Sequence, residues 1–434
     1  MLSLIGWILF ILALMLSIGL HEIGHLLPAK RFGVKVSQYM VGFGPTLWSR
    51  KKGETEYGIK GIPLGGYIRM IGMFPPNPKG PVEIEKLGRV GTLIETLRET
   101  SLSEIDPAEE PRAFYNLSAP KKLIVMCGGP FMNLVIAVVV FFGVFVGIGN
   151  PVVSTQINSV VACVPTSDNP EGLISTSGKC DDGVFSPAFA AGIKVGDKII
   201  GVDGNRVNSW ADLNFRSRPG RTVAVKFLRE SQELTATVTL AAVKVPTLDA
   251  NGQPTGKIET YGFFGVSPEV SYEKESFGFV LPFVGTQIRQ TTAAILGFPK
   301  AIFDLGKQVV SGEERAASGP VSIVGIGQIT GQIVSAPDES IKGKSHSFLL
   351  MIASLNMSLF LFNMIPMLPL DGGHIAGALY EGMRRNVARI RRKPLPGPAD
   401  TAKLWPVAYL VTILLILMSL VTIFADLFSP MSLG

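Results

Sequence analysis

The sequence predicts an α-helical polytopic membrane protein with four transmembrane helices, membrane-associated β-hairpins and one inserted β-rich domain. Of its 434 residues, 47% are hydrophobic and 17% charged, well away from an ordinary soluble domain. Four apolar runs, about residues 3–27, 119–148, 345–365 and 402–427, are each long enough to cross roughly 30 Å of hydrocarbon at about 1.5 Å per residue. Between the second and third, residues 151–270 take on the composition of a soluble β-rich domain.

The first run carries no formal charge from Met1 through Leu20 and ends on His21-Glu22-Ile23-Gly24-His25. On a helix, positions i and i+4 share a face. His21 and His25 can therefore present imidazole nitrogens to one metal ion, with Glu22 beside its open position. Two incidental histidines at a helix end are the alternative. It fares poorly, because the chain has only four histidines and ionisable groups against hydrocarbon are costly unless paired or doing chemistry. The pattern is that of a zinc peptidase. A catalytic zinc takes three protein ligands and a water, and Asp371 is the best candidate for the third. It lies in Asn363-Met364-Ile365-Pro366-Met367-Leu368-Pro369-Leu370-Asp371-Gly372-Gly373-His374, just past the third run. Two prolines disfavour a simple helix and the glycines permit close backbone approach, so the carboxylate is expected on an irregular turn. An ordinary Asp-Gly-Gly turn is the alternative.

These residues, with Gly129-Pro130 and Asn133 in the second run and one PDZ-like module, resemble the site-2 protease family of intramembrane metalloproteases over nearly the whole chain. The resemblance implies that His21, His25 and Asp371 hold Zn²⁺ and that Glu22 is the catalytic base. His374 has no matching ligand role and is expected to support the site or to bond locally. A single-span membrane protein already trimmed outside, often an anti-sigma factor, is the implied substrate. The PDZ-like module would exclude untrimmed proteins by size. Asn363 and the Gly65-Gly66 edge are the expected holders of the unwound substrate strand, and Asn133 is a buried amide expected near the site.

Pro28 is expected to close the first span. Residues 30–72 alternate in short runs broken by glycine and read as strands and hairpins. In the family the corresponding loop dips into the membrane and offers an edge strand; a plain cytoplasmic hairpin is the alternative. Residues 83–112 form a loop of mixed charge, and Gly128-Gly129-Pro130 allows close helix packing and a local kink. Cys163 and Cys180 bracket a polar loop placed outside the cell, where a disulfide is expected, whereas Cys127 reads as a small buried hydrophobe. The run from Ser186 to Gly204 resembles PDZ domains. Trp210-Ala211-Asp212-Leu213 would start the helix lining a groove for a peptide or trimmed C-terminus. Residues 222–228 and 234–240 alternate as a hairpin. Gly262-Phe263-Phe264-Gly265 looks like a carboxylate-binding loop, although its place favours a strand returning to the membrane. Residues 271–344, including Gly312-Glu313-Glu314-Arg315, read as connector helices at the membrane surface, and 345–434 complete the membrane core.

Charge orients the chain. Residues 28–118 carry thirteen Lys and Arg against ten Asp and Glu, residues 375–403 seven against two, and residues 149–344 eighteen against nineteen. Positive loops stay in the cytoplasm. Both termini and the inserted domain are therefore expected outside a bacterial cytoplasmic membrane, with the zinc site toward the cytoplasmic side and lipid around the spans. The N-terminus lacks the basic start and cleavage site of a signal peptide. The net charge of +6 gathers in loops rather than in a stripe with interleaved aromatics, which argues against nucleic acid. A non-enzymatic membrane scaffold with a structural metal is the rival reading. Structural zinc is usually closed by four protein ligands, and three ligands beside an intact Glu22 favour catalysis.

Overall fold

The computed structural model describes residues 2–77, 80, 82, 87–165, 180, 184–248, 254–311, 319–336 and 339–429. Gly312 to Arg315 and residues 83–86 lie outside them. The chain forms two compact units, one of Met1–Gly147, Ser276–Arg315 and Gly319–Gly434, the other of Ile148–Glu275 and Ala316–Ser318.

The first unit opens with α1 (Leu2–Arg31), then β1 (Val36–Lys52), β2 (Thr55–Met70), α2 (Arg89–Ser103) and α3 (Ala119–Phe142), whose last turns widen into a π-helix over Gly143–Ile148. It resumes with α5 (Phe277–Ser311), α6 (Ile323–Ser335), α7 (Ile341–Asn363), α8 (Asp371–Ile390) and α9 (Trp405–Phe428). Among the described residues, four helices are long and apolar enough to cross a membrane: Leu2–Arg31, Ala119–Ile148, Ile341–Asn363 and Thr401–Phe428.

In hydrocarbon, helices hold together by close packing and a few polar contacts. Gly24 of α1 and Gly128 of α3 touch backbone to backbone; a Cβ on Gly128 would stand 2.0 Å from the Gly24 carbonyl oxygen. This contact also explains why α1 does not stop at Pro28, contrary to expectation. Pro28 has no N–H to give the Gly24 carbonyl, but that carbonyl lies against α3 and the helix runs on to Arg31. Asn356 of α7 donates to Ser17 Oγ of α1 at 3.0 Å. In the first turn of α3, Lys122 pairs with Glu381 of α8 at 2.7 Å, and Arg385 joins it at 3.0 Å. Glu381 is 1% exposed, so losing one partner would strand a buried charge. These bonds fix α8, and with it the start of that helix, against α3.

The two long strands fold back on themselves. Residues 38–41 pair with 66–69 on one side and 56–59 on the other, while 56–59 also pair with 48–51. The result is a four-segment mixed sheet, with 38–41 antiparallel to 66–69 and parallel to 56–59. Its outer segment 66–69 has one strand partner among the described residues, leaving an open edge. Phe43, Leu47, Trp48, Ile62 and Leu64 are exposed at the sheet's far end.

The second unit contains β3 (Asn150–Val160), a short α4 (Pro187–Ala190), β4 (Lys198–Val202), β5 (Asn205–Arg206), β6 (Thr222–Arg229), β7 (Gln232–Thr239), β8 (Ala241–Leu248), β9 (Pro254–Phe263) and β10 (Val266–Glu273). One sheet runs β10-β3-β4-β6-β7 with β5 beside β4, and β8-β9 form a separate ribbon. Ile157, Ile199, Val225, Phe227, Leu240 and Phe264 fill the core. Cys163 and Cys180 are joined, their Cα atoms 5.6 Å apart and 17 residues apart in sequence. A loop of that length contributes about 3 kcal/mol in the chain-entropy picture. Trp210–Leu213 forms one 3₁₀ turn rather than a groove-lining helix. A capping box of Ser209 and Asp212 starts it, and Asn214 in the left-handed region (φ 47°) ends it.

Candidate metal centre

His21 and His25 stand one turn apart on α1, as the i, i+4 spacing requires. Asp371 reaches them from the first residue of α8, a helix start rather than the expected irregular turn. The irregular backbone lies just before it, in residues 364–370, where the Leu368–Pro369 peptide is cis. The chain then doubles back so tightly that a Cβ on Gly372 would sit 2.0 Å from the Ile365 carbonyl oxygen. An acidic residue in a first turn is also favoured by the helix dipole.

The three candidate ligand atoms form a nearly equilateral triangle. His21 Nε2 and His25 Nε2 are 3.3 Å apart, and each lies 3.4 Å from Asp371 Oδ2. Ligands about 2.05 Å from a tetrahedral zinc stand about 3.35 Å from each other, so the triangle has the size of one face of a zinc tetrahedron. Among the described residues this is the one group of His, Cys, Asp or Glu placed to hold a metal. The neighbouring helix leaves the room: a Cβ on Gly129 would lie 2.1 Å from His25 Nε2 and 2.7 Å from His21 Nε2. The residues present fit the ion.

Both rings are fastened to α3. The Val125 carbonyl lies 2.8 Å from His25 Nδ1, and the Asn133 side-chain amide lies 3.1 Å from His21 Nδ1. Val125, Gly129 and Asn133 are spaced four residues apart, so one face of α3 carries a hydrogen-bonding group, a gap and a second hydrogen-bonding group. Glu22 is 8% exposed and lies beside the Ile68 amide of the open sheet edge. Gly66 lets that edge in, since a Cβ there would meet Ile18 at 2.8 Å and Glu22 Cγ at 3.1 Å.

The other expected site residues are spread more widely. Gly65 (φ +100°) faces the Phe43 ring rather than Glu22. Asn363 is half-buried at the last turn of α7, where its side-chain amide has no hydrogen-bond partner among the described residues. His374 is one turn past Asp371 with its ring 6.4 Å from that of Phe74. Burial pushes the imidazole down to about 4, against the pull of Asp371, so it is neutral near pH 7. In the second unit, a groove is lined by Trp210, Leu213, Phe215 and residues 262–266. Phe264 is buried in the core, and Val266 opens β10. Sequence reasoning passed over the Val125 carbonyl, the Ile68 amide and Tyr39, whose hydroxyl donates to the Gly19 carbonyl at 2.8 Å. A tyrosine in an alternating strand carries no signal of such a contact.

Comparison with known proteins agrees with this geometry. The family model described as Peptidase family M50 matches residues 9–395. The chain is 32% identical to the zinc metalloprotease Rip1 of Mycolicibacterium smegmatis over 443 residues, covering 99% of this chain and 98% of that protein. It is 31% identical to Rip1 of Mycobacterium tuberculosis with the same coverage. The zinc metalloprotease RasP of Geobacillus kaustophilus is 26% identical, with 94% of each chain covered. With a zinc-sized triangle of ligands, four membrane-length helices and these relatives, the chain belongs to peptidase family M50, the site-2 type of membrane zinc metalloproteases.

Proposed function

We propose that this protein hydrolyses a peptide bond in or beside the transmembrane segment of a single-span membrane protein. The observation that carries the reading is Glu22, which borders both the ligand triangle and an unpaired sheet edge. When bound at His21, His25 and Asp371, zinc supplies Lewis-acid polarisation and a water acidic enough to ionise near neutral pH. Glu22 accepts the proton given up during attack on the peptide carbonyl and passes it to the leaving amine. A helical substrate hides its carbonyls in i→i−4 bonds, so it unwinds first. The unwound strand pairs with the 66–69 edge, whose outward backbone groups apart from the Ile68 amide beside Glu22 suit such a partner. Asn363, whose amide has no partner among the described residues, is the second holder.

The finer substrate assignment is a protein already trimmed outside the membrane, of the anti-sigma factor type, with the second unit as a PDZ-like size filter. The strand-and-turn run from Ser186 to Gly204 and the groove beside Trp210 support a PDZ-like reading. The loop charges support a cytoplasmic-side zinc site with both termini outside. The apolar far end of the sheet, with Trp48 57% and Leu47 70% exposed, supports its contact with lipid. The test is cleavage of a purified single-span substrate by the full chain in lipid nanodiscs, before and after chelation and zinc return. Cleavage within the span that chelation stops and zinc restores is expected. Zinc-independent cleavage, or none of several trimmed substrates, contradicts the reading.

A further inference from the structure

Tyr39 stands at the centre of the folded sheet, paired with Ile68 on one side and Tyr57 on the other. Its hydroxyl reaches the Gly19 carbonyl of α1 at 2.8 Å, and Gly19 makes the room, because a Cβ there would lie 3.2 Å from the tyrosine oxygen. Gly19 is three residues before Glu22. Directly across from Tyr39, the Ile68 amide lies beside the Glu22 carboxylate, and Gly66 of the same edge approaches Glu22 Cγ. One cross-strand pair thus touches the helix of Glu22 twice, once below the carboxylate and once at it. Tyr57, in contact with the Tyr39 ring at 5.6 Å, accepts from Lys30 Nζ at 2.9 Å and ties the sheet to the end of α1.

The ring of Tyr39 packs in the cluster around Val36, Met70 and Val125, and a phenylalanine would fill that space equally well. The hydroxyl therefore adds placement rather than packing. It bonds to a helix carbonyl that needs no second partner, on a sheet that also meets this part of α1 through the Val41 side chain and the Gly66 backbone. Without it the strands could slide along the helix. We propose that Tyr39 is a positioning residue for the reaction: its hydroxyl sets the height of the 66–69 edge on α1 and, through the Ile68 amide, the orientation of the Glu22 carboxylate. The inference rests on Glu22 being the base and on the edge receiving substrate. A substrate strand paired with a displaced edge would bring a different peptide bond to the metal. Displacement by about 1 Å costs on the order of 100-fold in rate.

The experiment compares the full-length wild type with Tyr39→Phe, Gly19→Ala and the double variant in nanodiscs, with Glu22→Gln as reference. Zinc content, kcat and KM on one single-span substrate, and product masses are measured. Tyr39→Phe is expected to keep full zinc and KM within about twofold, lose about 10- to 100-fold in kcat, and cut at more than one neighbouring bond. Gly19→Ala is expected to act in the same direction, and the double variant to be no worse than the poorer single. Wild-type rate at the wild-type bond in Tyr39→Phe overturns the proposal, as does a rate loss matched by zinc loss. If Glu22→Gln cleaves like wild type, the underlying reading of Glu22 has failed, whatever Tyr39→Phe does.

Discussion

Val125 and His25 meet across two membrane-length helices, the Val125 carbonyl oxygen 2.8 Å from Nδ1 of His25. A carbonyl only accepts, so Nδ1 carries the proton and Nε2 turns its lone pair toward the triangle. Asn133, two turns along α3, can do the same for His21. Among the described residues its buried Oδ1 has no partner while Nδ2 faces the ring, and turning the amide over gives Oδ1 the Nδ1–H as its donor. Asn133→Leu should therefore lower zinc affinity about 10- to 100-fold, measured by chelator competition, while Asn133→Asp, which keeps an acceptor, should lose less. Equal affinity in wild type and Asn133→Leu would show that the amide does not orient His21.

Gly129 faces the space between the three candidate ligand atoms. Its Cβ in Gly129→Ala would fall 2.1 Å from His25 Nε2, closer than any non-bonded contact, so zinc binding and cleavage should both fall at least 10-fold, on the scale of losing ligand support. Gly143 on the same span has nothing within 4 Å of an added Cβ, and Gly143→Ala is the matched control. Metal analysis of the two purified variants decides the matter, and full occupancy in Gly129→Ala would move the ion elsewhere.

In the second unit, Asp197 predicts a pH dependence. Burial alone would raise its carboxyl, but Arg229 at 2.7 and 2.8 Å and the Lys194 amide at 2.8 Å hold it below the ordinary carboxylate range. A depressed folded pKa contributes stability that is present above the unfolded value and lost as pH falls through the folded one. The unit should weaken below about pH 4, and Asp197→Asn should be weaker at pH 7 with a flatter acid response. Hydrogen exchange of β4 and β6 in the full chain, corrected for intrinsic rates, reads this out. An acid response unchanged by the substitution would show that other carboxylates carry it.

Much of the centre was legible because helical spacing is rigid: His21, Glu22 and His25 need only i, i+1 and i+4, and hydropathy marks the four spans. Asp371 was legible as a candidate and misread in its backbone, because the two prolines lie before the helix rather than in it. Pro28 misled for a tertiary reason, the cover that α3 gives the Gly24 carbonyl. Long-range contacts were not legible. Nothing local to Tyr39 points to Gly19, and the folding of two strands into four segments depends on where glycines let backbones approach.

The most direct measurement of the central claim is the pair of readouts on Glu22→Gln, zinc content and cleavage of a single-span substrate. The amide cannot take the proton, while His21, His25 and Asp371 remain in place. Full zinc with cleavage reduced by at least about 100-fold is the expected result. Near wild-type cleavage by the zinc-loaded variant would contradict the account, because Glu22 could then not be the base of this centre.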